Sequence, residues 1–396
     1  MRFLIGWDDE AEAELFLLYL NVDGNEAVTA IGKEALLNQA QSGREWDAVL
    51  VTTGSPDSET AFDVFQKIRR LLPGCPIVGA CRTDEIFRIA QFMTNGLRSY
   101  VIRDAAGDFL FLLRATLESA VNSVRAEREQ LIAVKLREEI ESVRKLQESI
   151  IPRDLDSPSG YKICGHYESS QIRVLGGHPV TLAGGDYYDV FMLDNKRMVL
   201  LVGDASGHGM KACMSIMTMH TLIRMIRGNA YRNTALFVAD VNRRLCEQRI
   251  VNEEGGFITL LYAVLRTDTH KLQWTSAGHP SPILHNLNSN SVDRLVAIDE
   301  GSLPLAITPD AKYQNCTATL PPNSRLLIYT DGLEEAFPET DHSHEQYGFA
   351  GIAATLQASQ NEPLPDAMRK LFEDSSAYTV GSGRHDDTSV VMLERK

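Results

Sequence analysis

The sequence predicts two dissimilar domains joined by a long helix: a doubly wound parallel α/β domain first, and an α+β domain of antiparallel sheets with flanking helices last. Three observations carry this. Up to about residue 112, short apolar runs alternate with helical stretches, the pattern of a parallel sheet covered by helices on both faces. Between Gly107 and Pro152 there is neither Gly nor Pro. Beyond about residue 160, strand-like runs bounded by turn residues dominate, with helices interposed.

In the first segment RFLIGW, DAVLVT, PIVGAC and RSYVIR read as strands, with helices from Glu10, over Ala61 to Leu72, over EIFRIAQFM and from near Asp108. In the second, Leu117, Val121, Val124 and Leu131 follow a 4-3 spacing that Arg128 interrupts. Leu136, Ile140, Val143 and Ile150 repeat it in shifted phase, with Gln147 between the last two. Apolar residues so spaced, with charge on the other faces, predict a coiled coil between two copies; one amphipathic helix lying on its own domain is the alternative. Pro152 ends the helix. The expected organisation is 1–112, a helical linker 113–152, and 153–396. In the last segment RMVLLVGDA, FITLLYAVL, KLQWTSA, SRLLIYTDG and TSVVMLE read as strands, and KACMSIMTMHTLIRMIR and TALFVADVNRRLCEQ as helices.

The net charge of −14 argues against nucleic acid or an anionic membrane as a partner, since both demand basic patches. The six cysteines (75, 81, 164, 213, 246 and 316) form no C-x-x-C pair, which removes the usual zinc pattern and any disulfide framework. Acidic residues arrive too early in MRFLIGWDDE for a signal peptide, and no apolar run is long enough to span a membrane. The expectation is a reduced, cytoplasmic protein.

Four acidic motifs lie far apart in the last segment: AGGDYYD with Asp186, GDASGHG with Asp204 and His208, YTDG with Asp331, and RHDDTSVV with Asp386 and Asp387. Each carboxylate falls at or near the end of an apolar strand, so the acids can gather at one rim. Asp-Gly alone is a common turn signal. Together and in this order, with LQESIIP before them and TSAGHPSP and LPLAI among them, the motifs resemble the PPM phosphatase family, in its SpoIIE-like bacterial branch, over about residues 145–396. That resemblance implies a β-sandwich flanked by helices and a metal-dependent phosphoserine/phosphothreonine phosphatase. It implies two Mn2+ or Mg2+ ions held by Asp186, Asp204, the Ala205 carbonyl, Asp331 and Asp386. Hard cations of this kind take oxygen ligands, and a metal pair clamps in-line displacement at phosphorus. Asp387 is expected to orient a water or the turn. His208 is either a proton donor to the leaving oxygen or a structural hydrogen-bonder; His279 in AGHP is expected to be structural. Ala306 in LPLAI stands where the family carries glycine, a change expected to matter little. The resemblance also implies, as substrate, a phosphorylated STAS-type protein that antagonises an anti-sigma factor. A non-catalytic adaptor on the same fold is the alternative; it would lack a metal aspartate, and none is missing.

Residues 1–115 resemble the receiver domain of response regulators. Asp8 and Asp9 match its acidic pair, and Pro56 sets a register that puts Thr52 at the phosphate-accepting position, Cys81 at the Thr/Ser position and Arg103 at the lysine position. An acyl phosphate needs a carboxylate nucleophile, which Thr52 does not offer. The expectation is a pseudo-receiver that binds a regulator or a second copy and is not itself phosphorylated, in a chain that forms homodimers through the linker helix.

Overall fold

The computed structural model describes the chain except residues 105–106, 153, 173–179, 182–183, 208, 227–232, 253–254, 296–301, 339–344 and 381–385. The chain divides into two compact units, Met1–Leu136 and Arg137–Lys396.

In the first unit β1 (Arg2–Trp7), β2 (Glu26–Ile31), β3 (Ala48–Thr52), β4 (Ile77–Arg82) and β5 (Ser99–Arg103) pair in parallel in the order β2-β1-β3-β4-β5. This is the receiver-type doubly wound order. Helices α1 (Glu10–Leu20), α2 (Lys33–Ala40), α3 (Ser58–Leu71) and α4 (Ile89–Thr94) connect the strands. Strands β1 and β3 are buried on both faces, between one cluster containing Phe16 and Leu50 and another containing Phe65 and Phe92. Their continuous apolar runs follow from that double burial. Strand β2 and helix α2 were not legible in the sequence. β2 is an edge strand whose buried contribution is only Ala27 and Ala30, too weak a signal to register as apolar periodicity.

Helix α5 (Phe109–Ile150) is 42 residues long and matches the expected helix. Its first turns belong to the first unit: Phe109, Leu113, Leu117, Ala120 and Val121 are buried in that unit's core beside Trp7 and Phe16. This corrects two expectations. The boundary at residue 112 cuts off a helix that the first domain needs to cover its sheet, and Leu117 and Val121 are core residues rather than seam positions between two copies. Farther along, Leu131, Ile132, Val134 and Leu136 stand exposed.

The second unit is a sandwich of two antiparallel five-stranded sheets. One has the order β15-β12-β11-β10-β9, formed by β9 (Asp186–Asp194), β10 (Arg197–Ala205), β11 (Ile258–Arg266), β12 (Lys271–Ala277) and β15 (Cys316–Thr319). The other has the order β14-β13-β16-β17-β6, formed by β6 (Tyr161–Glu168), β13 (Ile283–Asn286), β14 (Ser291–Arg294), β16 (Ser324–Tyr329) and β17 (Thr388–Arg395). A short ribbon pairs β7 (Gln171–Ile172) with β8 (Val180–Thr181). The main core lies between the sheets, where Tyr188, Val202 and Leu261 of the first face Ile328, Val391 and Leu393 of the second. Helices α6 (Met210–Ile226) and α7 (Thr234–Cys246) cover the first sheet through Ile216, Met219 and Phe237, and a short α8 (Arg249–Asn252) follows them. Helices α9 (Gly348–Ala358) and α10 (Leu364–Tyr378) cover the second through Ile352, Leu371 and Phe372. Among the described residues no helix is long and apolar enough to cross a membrane.

Ala306 has φ 70°, the left-handed region. There a Cβ crowds the backbone, so the alanine carries a strain that a glycine would not. The substitution is therefore not neutral, as its small size suggested. Ala306→Gly is expected to stabilise the second unit by about 1 kcal/mol, measured as a raised denaturation midpoint. An unchanged or lowered midpoint would contradict the strain.

Candidate active site

Antiparallel pairing decides where the acids fall. Asp186 opens β9 and Asp204 ends β10, and the two are direct partners in the ladder. Across the sandwich, Asp331 follows the end of β16 and Asp386 and Asp387 precede the start of β17, strands that are themselves paired. Each sheet thus contributes its acids where one strand ends and its neighbour begins. Thr330 ties the two sets together: its hydroxyl donates to Asp186 Oδ2 at 2.7 Å and accepts from the Ser389 N–H at 2.8 Å.

The loop before Asp186 is held at several points. Asp387, 1% exposed, accepts from the N–H groups of Gly185 at 2.6 Å and Ser170 at 2.8 Å. It therefore fixes the turn, one of the two roles expected for it. Gln147, fully buried near the end of α5, accepts from the Gly184 N–H at 2.7 Å and donates to the Asp186 carbonyl at 3.1 Å. Only glycine fits at 185, where a Cβ would stand 2.7 Å from the Ala205 carbonyl oxygen and 3.2 Å from Asp204 Oδ1. Neither Gln147 nor Thr330 was singled out as a site residue from sequence. A buried glutamine at an otherwise apolar seam position was the available signal for the first; nothing local marked the second.

The electrostatics are those of crowded acids. Burial, then the neighbouring Asp204 and Asp387, raise the Asp186 pKa well above the usual carboxylate value, against the Thr330 hydrogen bond. Burial, with Asp331, Asp386 and Asp387 behind it, raises Asp204 to about 9, and a hydrogen bond with Asp186 opposes the rise. Burial also raises Asp331, against the Gly332 N–H, and raises Asp386 to about 6. Asp186 Oδ1 is buried without a hydrogen-bond partner. None of Asp186, Asp204, Asp331 and Asp386 pairs with a Lys, Arg or His among the described residues. Buried carboxylates without a counter-charge are costly, and an orphaned oxygen in such a group fits a divalent cation. No three acid, imidazole or thiol side chains among the described residues stand close enough to cage an ion unaided. Magnesium and manganese sites commonly complete their shells with water.

His208 lies outside the described residues. His279 is buried, with Nδ1 2.9 Å from the Thr259 hydroxyl, and Thr259 faces Asp204 across β10 and β11. Burial lowers its pKa to about 3. It stays neutral, in keeping with a structural role.

The receiver-like pocket at the carboxyl ends of β1, β3, β4 and β5 is closed by an internal cation. Arg103 reaches Asp8 at 2.7 Å and Glu12 at 2.8 Å, and its guanidinium lies 4.8 Å from the centre of the Trp7 ring. Asp9 is committed elsewhere, as the N-cap of α1, accepting from the Glu12 N–H at 3.0 Å. Cys81 is buried in the core with its thiol toward the Val101 carbonyl. Thr52, at the end of β3, is half-buried. Of the five residues aligned with the receiver switch, the structure brings Asp8 and Arg103 into contact and sends Asp9 and Cys81 to structural tasks.

A helix-flanked double antiparallel sandwich with strand-end carboxylates at one rim is the architecture of the PPM protein phosphatases. The chain belongs to the SpoIIE family: the family model described as Stage II sporulation protein E (SpoIIE) matches residues 194–396, just over half of the chain. This family is metal-dependent. Among curated proteins, Protein IcfG of Synechocystis is 22% identical over 65% of this chain and 41% of its own length. Phosphoserine phosphatase RsbP of Bacillus subtilis is 22% identical over 67% of this chain and 60% of its own. The chain thus spans about half the length of the curated relatives it matches. Two solved structures share the fold. The SiaA-PP2C domain of Pseudomonas aeruginosa matches with TM-score 0.53 and 16% identity over 67% of this chain and 99% of that one. The RsbU and RsbW domains of Rv1364c from Mycobacterium tuberculosis match with TM-score 0.50 and 22% identity over 62% and 63%.

Native Asp204 holds its proton up to about pH 9, whereas an unfolded aspartate loses it near pH 4 (roughly). Between those limits the native state binds more protons, so this group makes metal-free stability fall as pH rises. Asp204→Asn removes the effect. Its gain in melting temperature over the parent, without metal, is expected to grow from pH 5 to pH 8; a gain independent of pH would contradict the shift. In the first unit, Arg103→Ala leaves Asp8 and Glu12 without their cation and is expected to cost about 2 kcal/mol, between exposed and buried pairs. Denaturation of the parent and variant chains checks this, and an equal midpoint would refute the lock.

Proposed function

We propose that this chain is a metal-dependent phosphoserine/phosphothreonine protein phosphatase of bacterial signalling. The observation that carries the proposal is the set of four carboxylates, Asp186 buried and Asp204, Asp331 and Asp386 half-buried, that the two sheets bring to one rim with no cationic partner among the described residues, in a member of the SpoIIE family. Asp186, Asp204, the Ala205 carbonyl, Asp331 and Asp386 would hold two Mn2+ or Mg2+ ions. Bound there, the ions would neutralise the phosphoryl oxygens and acidify the water that attacks phosphorus. The protein's own part is positional. Thr330 and Gln147 fix Asp186 at its carboxylate and its carbonyl, and Asp387 fixes the backbone at Gly185. Because these groups are already hydrogen-bonded, the site needs little reorganisation to act.

The substrate we favour is a phosphorylated STAS-type protein. The name phosphoserine phosphatase carried by RsbP supports the phosphoserine part of this reading. The exposed apolar stretch from Leu131 to Leu136 of α5 supports homodimerisation by that part of the helix. The pocket closed by Arg103, with Thr52 at the acceptor position, supports control by a bound regulator rather than by phosphorylation.

The test is turnover of a panel of serine-phosphorylated STAS proteins and a generic phosphomonoester. Hydrolysis is expected only with Mn2+ or Mg2+. Asp204→Ala is expected to lower kcat at least 1000-fold, by the loss of roughly 4 kcal/mol or more of transition-state stabilisation, while the circular dichroism spectrum stays unchanged. Full turnover in excess chelator would overturn the metal-dependent reading.

A further inference from the structure

The first unit has a cleft remote from the Arg103 pocket. It opens at the amino ends of the strands, where Arg2 starts β1 and Asp47 precedes β3, and it encloses about 750 Å3. That volume is typical of small-molecule sites. Four guanidinium groups line it, from Arg2, from Arg44 in the segment before β3, and from Arg125 and Arg128 of α5. In a chain of net charge −14 such a concentration of cations runs against the general field.

The internal acids satisfy these cations only in part. Glu26 is shared between Arg2 at 3.0 Å and Arg44 at 3.8 Å. Asp47 takes Arg125 at 2.8 Å and the Arg2 N–H at 2.7 Å. Glu45, the remaining acid in the lining, pairs with none of the four, and Arg128 has no hydrogen-bond or ion-pair partner among the described residues. Its guanidinium rests against the turn at Gly74, where an added Cβ would meet Nη2 at 3.2 Å. Arg128 is also the residue that interrupts the 4-3 spacing of α5. Trp46 and Pro73 supply an apolar wall.

We propose that this cleft binds a small organic anion bearing two or more phosphate or carboxylate groups, held between Arg44 and Arg128. Guanidinium forks match the oxygens of both groups. The confined volume and the acidic surroundings favour a compact ligand over an extended polyanion. A ligand there would tie α5 to the segment before β3, giving the pseudo-receiver an input that needs no phosphorylation. Any effect on turnover rests on the phosphatase reading; the binding itself does not.

The experiment is calorimetric titration of the full chain with methylenediphosphonate, a non-hydrolysable probe, at constant ionic strength and without divalent metal. Without divalent metal the rim of the second unit offers an anion no bridging ion, so binding reports on the cleft. One-to-one, saturable binding is expected. Arg44→Ala and Arg128→Ala should each weaken it at least tenfold. Glu26→Gln, which removes a competing carboxylate, should tighten it several-fold. All three should melt within a few degrees of the parent, since they alter only exposed groups. Equal affinity in Arg128→Ala would overturn the proposal. So would the same heat from sodium chloride at matched ionic strength, or tighter binding by an acidic peptide than by the diphosphonate.

Discussion

Mutual repulsion among crowded carboxylates, one buried and three half-buried, is the constraint on which the second unit depends. Asp186 and Asp204 adjoin in one sheet, Asp331 and Asp386 come from the other, and no basic side chain among the described residues offsets any of them. Such a cluster persists only if the backbone around it is tied down by other means. The ties are hydrogen bonds that reach across sequence: Asp387 to Gly185 and Ser170, Thr330 to Asp186, and Gln147 to both sides of the Gly184–Asp186 turn. The sandwich core supplies the stability that the rim gives up, an arrangement common where a site is built for a ligand rather than for the fold.

The first unit resolves the same problem in the opposite way. Its acidic pocket at the strand ends contains its own cation, Arg103, held to Asp8 and Glu12 and stacked over Trp7. A charged pocket that is internally neutralised has little affinity left for a divalent ion, and its nucleophile position carries a threonine. The receiver fold survives because the core does not depend on the pocket: Leu4, Leu50 and Val78 are fully buried whatever stands at the strand ends.

Helix α5 enters both arguments through different residues. Leu113 and Leu117 complete the core of the first unit, and Gln147 braces the acid-bearing turn of the second. A single heptad pattern conceals this division of labour. Apolar spacing reports that a face is buried and is silent on what buries it, so Leu117 and Val121 read as a seam although their own domain covers them.

By itself the sequence determined the two fold classes, just over half of the strands and helices, and the placement of the acids at strand ends; β6, β13, β14, β15, α9 and α10 of the second unit went unread. The features it determined rest on local periodicity and on strand-end motifs whose order is distinctive. It did not reveal β2, whose buried residues are two alanines, or the strained φ of Ala306, which depends on how its loop is held. Tertiary structure alone decided that Asp9 caps a helix, that Cys81 belongs to the core, and that Gln147 and Thr330 hold Asp186. The physical reason is common to all of these. Residue type sets which interactions a side chain can make, but the partner it finds is fixed by chain segments tens to hundreds of residues away. Asp186 and Thr330, 144 positions apart, meet only because two antiparallel sheets present their strand ends at one rim.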